Sequence, residues 1–442
     1  MYRRITQFCF ILFVLSLASL AFSQAYEATA IKVPHLVQQG PLNLWVNDSG
    51  QVVGSRFAVN GNVKQGNTQP LTTFECCEGF YWSKSTGVVA MGSLGGNLTA
   101  AYAINDSGVA TGWSYTANQA SSEAYLWTLS GGFQDLGFEE CPFAGGGRRI
   151  NSAGQIIGLY CTGINNQYPF IWSQSTGMQT FGTLPNGGYP SFASAINDNG
   201  QVVGQAVVND QQYVFLWSEA TGMQGILGYD TWSQASDIND NGQVVGIFYD
   251  ADGTIHAFLW SASQGIEDLG SMDGCCQSGG PTSINNNGQI VGMTATGLPF
   301  LWSAQAGMQN LQNLVPDYVH ITAVTTINNF GQVLTFGQKP TAIYLLTPKM
   351  STSLSSSENP SQAGNPVTFT ATVSSIAGPP PNGENITFTD HNNVIGVAGL
   401  SNGTATLTTS SLAKGSHSIQ ATYPGDAVYA SSKSAVLKQV VQ

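Results

Sequence analysis

Residues 195–204 read Ala-Ile-Asn-Asp-Asn-Gly-Gln-Val-Val-Gly, and residues 213–217 read Tyr-Val-Phe-Leu-Trp. Two short apolar runs flank Asp198-Asn199-Gly200. Asp and Asn bond nearby backbone and tolerate positive φ, and Gly adopts it freely, so the first phrase is a tight hairpin. Tyr213–Trp217 is a third strand. Gly222-Met223-Gln224-Gly225-Ile226 is a fourth, across a Ser-Glu-Ala-Thr-Gly turn. No 3.6-residue period sustains itself around them, which leaves a unit made of strands alone.

Working outward, the same unit recurs. The central glycine of the hairpin is found at Gly50, Gly108, Gly154, Gly200, Gly242, Gly288 and Gly331. The strand-ending tryptophan follows at Trp82, Trp127, Trp172, Trp217, Trp260 and Trp302, and Tyr344 is read in that place in the last copy. A period of about 45 residues with four strands per unit is the arithmetic of a β-propeller. The seventh copy stops after three strands at Ala342–Leu345, while an orphan segment, Ala28–Val33, precedes the first. Pairing the orphan beside Ile343–Leu346 closes the ring and leaves no sheet edge. The expected fold is all-β: a seven-bladed propeller over residues 26–348 with three-plus-one closure, in preference to an open β-solenoid. The repeated aromatics are read as wedge-filling core rather than as a carbohydrate-stacking platform. The Asn-Asp-x-Gly turns and Asp250-x-Asp252-Gly253 lack the further carboxylates that calcium needs, so no metal is expected.

The phrases Ile-Asn-Asp-x-Gly-Gln-Val-Val-Gly and Ala257-Phe-Leu-Trp-Ser261 resemble the HAF-type extracellular repeat family over about residues 28–348. That resemblance implies an exported bacterial repeat protein and carries no catalytic residues. Copy 1 departs from it through the longer segment Ser55–Gly79, and copy 3 through Arg148-Arg149 ahead of its isoleucine.

Both ends differ from the middle. Arg3 and Arg4, the apolar run Phe8–Leu20 and Ala21-Phe22-Ser23 form the pattern of an export signal over residues 1–23, too short for a transmembrane helix. Cys9 lies inside the run rather than at a cleavage boundary. Residues 350–442 are rich in Thr, Ser and Val with period-two alternation, as in Val367–Val373, and about seven strands fit an immunoglobulin-type sandwich. Gly403–Leu407, Gly415–Ile419 and Ala421–Asp426 resemble a bacterial Ig-like domain of group 3. The Asp390-His391-Asn392 turn departs from the Asp-Gly usual there. The linker is short, about Thr347–Met350.

The 442 residues carry 13 Lys+Arg, 25 Asp+Glu and a formal charge of −12, or −14 once Arg3 and Arg4 are removed. Such a balance argues against nucleic-acid and membrane-surface partners. At 42% apolar content the chain can fill a core.

In a propeller the first-to-second and third-to-fourth turns share one face. Here those turns are short and uniform. The second-to-third loops and the connections between copies share the other face and vary, which makes that face the expected binding surface. The six cysteines of the mature chain fall in the variable set. Cys141 and Cys161 border one copy and are expected to pair, a bridge worth about 3 kcal/mol in the chain-entropy model. The adjacent pairs Cys76-Cys77 and Cys275-Cys276 are left as vicinal disulfides, free thiols or metal ligands, although no histidines stand near for zinc. Arg148, Arg149 and Asp237 begin innermost strands. They are either an ion pair with rim charges or an anion clamp at the channel mouth, with Glu139 and Glu140 beside them as possible counter-charges.

These residues favour a non-enzymatic extracellular protein that binds carbohydrate or protein, with the Ig-like module as spacer or adhesion contact and no cofactor. The competing reading is a polysaccharide-active propeller enzyme using carboxylates such as Glu139, Glu140 and Asp273, but no motif sets a catalytic pair. None of His35, His256, His320, His391 and His417 accompanies a nucleophile-elbow phrase. Ligand identity, oligomeric state and surface retention are not encoded in any motif.

Overall fold

The computed structural model describes residues 24–33, 42–57, 76–117, 122–137, 146–161, 167–209, 211–227, 232–249, 254–269, 279–338, 342–426 and 428–442. The expected export signal, and the turn Asp250–Gly253, lie outside them. Among the described residues, the first 348 positions form seven four-stranded antiparallel sheets. The quoted unit is the fourth sheet, with strands Tyr189–Ile196, Val202–Val208, Gln211–Ser218 and Gly222–Leu227. Its innermost strand begins six residues before Ala195.

The last sheet is built from Ile321–Ile327, Val333–Gly337 and Ala342–Pro348, and its outer strand comes from the start of the chain, Tyr26–Ile31. Ile31 stands opposite Ile343 and Tyr26 opposite Pro348. Tyr26, Ile31, Ile343 and Leu346 are all buried there. The orphan strand and the missing strand therefore meet as expected.

The hairpin motif is explained by contacts between sheets as well as within them. Asn197 Oδ1 accepts the Gln201 N–H, and its Nδ2 donates to Gln201 Oε1 and, at 2.9 Å, to the carbonyl of Asn239 in the next sheet. The same donation runs from Asn47 to Asn105, Asn105 to Asn151, Asn151 to Asn197, Asn239 to Asn285 and Asn285 to Asn328. Asn328 then donates to Asn47 at 2.9 Å, which completes a cycle of buried hydrogen bonds. The following Asp or Asn also reaches across: the Asp198 N–H donates to Asp240 Oδ1, and the Asn329 N–H to Asp48 Oδ1. The side chains thus serve their own turns, as expected, through Oδ1, and join the next sheet as well through Nδ2. Positive φ falls on the glycine alone, +72° at Gly200.

The repeated tryptophans are core, as expected, but a second aromatic in each copy is buried more deeply. In each of the first six sheets the residue two before the tryptophan, such as Phe215, is essentially fully buried. Its ring lies over the last glycine of Gln-Val-Val-Gly, and a Cβ on Gly204 would stand 2.9 Å from Phe215 Cε1 and collide with the Phe192 carbonyl. Five of the tryptophans are buried beside it, while Trp260 is only partly buried. Register shows that Tyr344 does not take the tryptophan's place. Tyr344 pairs with Thr335, as Phe215 pairs with Gly204, and Leu346 pairs with Val333, as Trp217 pairs with Val202. The last copy has lost the glycine, and its ring stays only partly buried.

Residues 351–441 form two further sheets, of three and five strands, around Phe369, Phe388 and Tyr423. Eight strands are present rather than about seven. The joint is shorter than expected. Strands end at Pro348 and begin at Ser351, the Lys349 N–H donates to the Ala25 carbonyl at 2.8 Å, and Met350 is buried in the second core. This second module rests on the hairpin face of the first. Tyr429 meets Phe330 edge-on at 5.4 Å, and Gln289 Nε2 donates to the Ile376 carbonyl. No helix among the described residues is long and apolar enough to cross a membrane.

Candidate functional site

The innermost strands surround a channel with two unlike ends. At the hairpin end lie the Asn ring and Asp48, Asp106, Asp198 and Asp240. Burial pushes the Asp48 carboxyl above its usual value, and the Asp106 carboxylate adds to this. Beneath them Val46, Ile104, Ile150, Ile196, Ile238 and Ile284 line an aliphatic collar. Beyond the collar the channel widens into a cavity of about 430 Å³ that opens toward the variable face.

The widening has a repeated backbone cause. In all seven innermost strands the pairing slips by one residue; the unpaired residue is Asn43 in the first sheet and Tyr102, Arg148, Ser194, Ser236, Thr282 or Thr325 in the other six. A bulge of this kind re-aims side chains, and all seven line the cavity. Arg148 therefore joins Arg149 in one space, although neighbours in a regular strand point to opposite faces.

The two guanidinium groups are held by aromatic rings. Arg149 lies over Trp45 at 4.3 Å and Arg148 over Phe192 at 4.8 Å, with Tyr102 at 6.0 Å. Arg149 Nη1 donates to the Arg148 carbonyl. Nε of both arginines is buried without a hydrogen-bond partner. Burial lowers both from the usual arginine value; Asp237 opposes this for Arg149 and the Tyr102 hydroxyl for Arg148.

Asp237 occupies Arg149's place two sheets on, as expected, yet the pair is not in direct contact. Asp237 Oδ1 accepts the Ile238 N–H, and Oδ2 accepts Ser283 Oγ–H at 2.8 Å and the Ile284 N–H at 3.0 Å. Burial raises its carboxyl above the usual range, against the pull of Arg149 and these bonds. It offsets part of the Arg149 charge through space and belongs to the wall below.

Other expected residues are placed elsewhere. Cys77 is buried and disulfide-bonded. Cys76 opens a third strand and Cys161 closes a second strand, rather than sitting in the loops proper, and their side chains lie outside the described residues. Glu139, Glu140, Cys141, Asp273, Cys275 and Cys276 lie outside them too. His256 is at a strand start, stacked on Phe248 with Nδ1 2.9 Å from Asp268 Oδ2. Among the described residues no group of three or more His, Cys, Asp or Glu is placed to hold a metal ion. Trp45, Tyr102 and Phe192 were missed by sequence reasoning. The signal for them was a large residue two or three places before the ring Asn at Trp45 and Tyr102, where most copies carry Ala, Ser or Thr.

Comparison with known proteins follows the two-part architecture. Residues 354–442 match the bacterial Ig-like domain (group 3) family. No curated protein matches the sequence. Solved structures that are similar include the extracellular domain of the one component system BT4673 from B. thetaiotaomicron, at 10% identity and a TM-score of 0.41, covering 95% of this chain. The chain spans 59% of that protein's length. The Dos1 propeller is similar at 10% identity and TM-score 0.41, over 74% of this chain and 95% of its own. Puromycin hydrolase is similar at 11% identity and TM-score 0.44, over 78% and 61%.

Proposed function

We propose that this is an exported, non-enzymatic extracellular or cell-surface protein of the HAF repeat type. In this reading residues 1–23 are a leader, residues 26–348 a closed seven-bladed propeller and residues 350–442 an Ig-like spacer or adhesion module. The propeller binds extracellular carbohydrate or protein through its variable face. Cys141–Cys161 pairing, and bridges or vicinal bonds at Cys76-Cys77 and Cys275-Cys276, would brace that face.

The observation that carries the reading is the unequal fate of the two faces. The hairpin face is occupied by hydrogen bonds between sheets and by the chain's own Ig-like module. The variable face instead presents Tyr168, Tyr189, Trp232 and Tyr318, which are 39–65% exposed and come from different parts of the ring. Exposed rings distributed over one face suit a recognition surface, because a ring contributes large contact area at small entropic cost. The test is a glycan and protein array probed with residues 24–442, where capture of one ligand class is expected. Release of reducing sugars from a polysaccharide panel, or an array without capture, would overturn the reading.

A further inference from the structure

We propose that the central cavity is a pocket for the terminal uronic acid of an extracellular saccharide, with Arg148 and Arg149 gripping its carboxylate. This rests on the variable-face reading and names the ligand class for it.

The aromatic rings of Trp45 and Phe192 cover a face of each guanidinium, so the hydrogen-bonding edges are what remains for the cavity. Arginine's planar fork of donors matches a carboxylate bidentately. Both Nε groups are buried from solvent, so the donors that can meet a ligand are the terminal Nη groups, of which Arg149 Nη1 already donates to the Arg148 carbonyl. The one described carboxylate near them, Asp237, has both oxygens engaged elsewhere.

The rest of the wall selects the body of the ligand. Ser236 offers a hydroxyl, and the Thr282 and Thr325 hydroxyls, which donate to the Val291 and Leu334 carbonyls, offer acceptor oxygens, while Tyr102 and Pro281 offer apolar surface. Hydroxyls beside apolar patches suit a sugar ring, which has polar edges and apolar faces. About 430 Å³ lies within the range of small-ligand pockets and holds one or two such rings. The aliphatic collar narrows the channel below, so the ligand enters by its end. The chain's charge of −12 disfavours a long polyanion, which also points to a single terminal acid.

The experiment is calorimetric titration of residues 24–442 with three probes: a disaccharide ending in glucuronic or galacturonic acid, its methyl ester, and the neutral hexose counterpart. The acid should bind roughly 10- to 100-fold more tightly than the ester, the range expected for charge-assisted hydrogen bonds. Arg148→Gln and Arg149→Gln should each remove most of that preference. If Arg149→Gln fails to fold, the acid-to-ester ratio on the unmodified protein still decides. Equal binding of acid and ester, or no binding of the acid at millimolar concentration, overturns the proposal. Array capture of neutral glycans or proteins in the same preparation would leave the variable-face reading standing while the uronate pocket fell.

Discussion

Asn328→Ala tests the asparagine hydrogen bonds where the last sheet meets the first. Asn328 Oδ1 accepts the Gln332 and Phe330 N–H groups, and Nδ2 donates to Gln332 Oε1 and the Asn47 carbonyl. Alanine removes four hydrogen bonds. At about 1 kcal/mol net for each bond the loss is about 3 to 4 kcal/mol, since the Asn47 carbonyl keeps the Gly50 N–H and only part of the set is orphaned. Asn197→Ala is the internal standard, with three such bonds and an expected loss of about 3 kcal/mol. In a ring longer than 250 residues these losses lower Tm by roughly 6–8 °C and 6 °C, at the lower end of the usual conversion. Both variants would be measured by urea and thermal unfolding of the full chain, followed by near-UV circular dichroism. Only the bond to the Asn47 carbonyl crosses the seam, so an Asn328→Ala effect below about 1 kcal/mol, beside a full effect at Asn197, would mean that the asparagine bonds of the last hairpin carry no stability, and the reasoning would fail.

Further outcomes are expected elsewhere. Gly204→Ala should cost more than about 3 kcal/mol or abolish soluble expression, because its Cβ collides with the Phe192 carbonyl and the Phe215 ring; a wild-type Tm would contradict this. Tyr26→Phe should match or exceed wild-type stability, since the buried hydroxyl has no partner, whereas Tyr26→Ala should lose about 3–5 kcal/mol. Equal Tm values for these two variants would deny the closing strand its role. Replacing residues 58–75 with a two-residue Asn-Gly turn should leave the fold intact with Tm within a few degrees, because Phe57 and Cys76 already stand opposite each other, Arg56 Nε donates to Glu78 at 2.8 Å beside them and two-residue loops are the common hairpin connection; unfolding at 37 °C would refute it. His417 should titrate above the usual histidine value, raised by the Ala413 carbonyl and then by Asp390. At Asp390, burial alone would raise the carboxyl, but the bonds from His417 and the Ser418 N–H outweigh it and lower it. The pair's contribution is therefore complete below the usual histidine value and is lost as pH rises through the raised His417 pKa. At the acid end it is lost as Asp390 protonates. A histidine NMR titration placing His417 at or below about 6.5 would contradict the sign.

The spacing of Gly50 to Gly331 made the sheets countable in advance, and the leftover Ala28–Val33 placed the seam opposite Ile343. Those features are legible because each repeat must bury the same faces in the same order. Tyr344 was misread because it is aromatic and near the right place, and only the register with Thr335 shows which position it fills. The role of the Asn197 amide was invisible because its decisive partner, the Asn239 carbonyl, belongs to another copy. The cavity was half legible. Repeat position paired Arg149 with Asp237, but the one-residue slip that turns Arg148 inward comes from backbone pairing, which residue types do not announce.

The Ala25 carbonyl, at the base of the closing strand, accepts the hydrogen bond of Lys349, and Met350 is already anchored in the neighbouring core. Swinging the Ig-like module therefore pulls directly on the zipper that keeps the wheel shut. A load applied between the two modules is carried in shear by the paired run from Tyr26 to Ile31, and swivelling at the hinge and unlatching of the wheel become one mechanical coordinate.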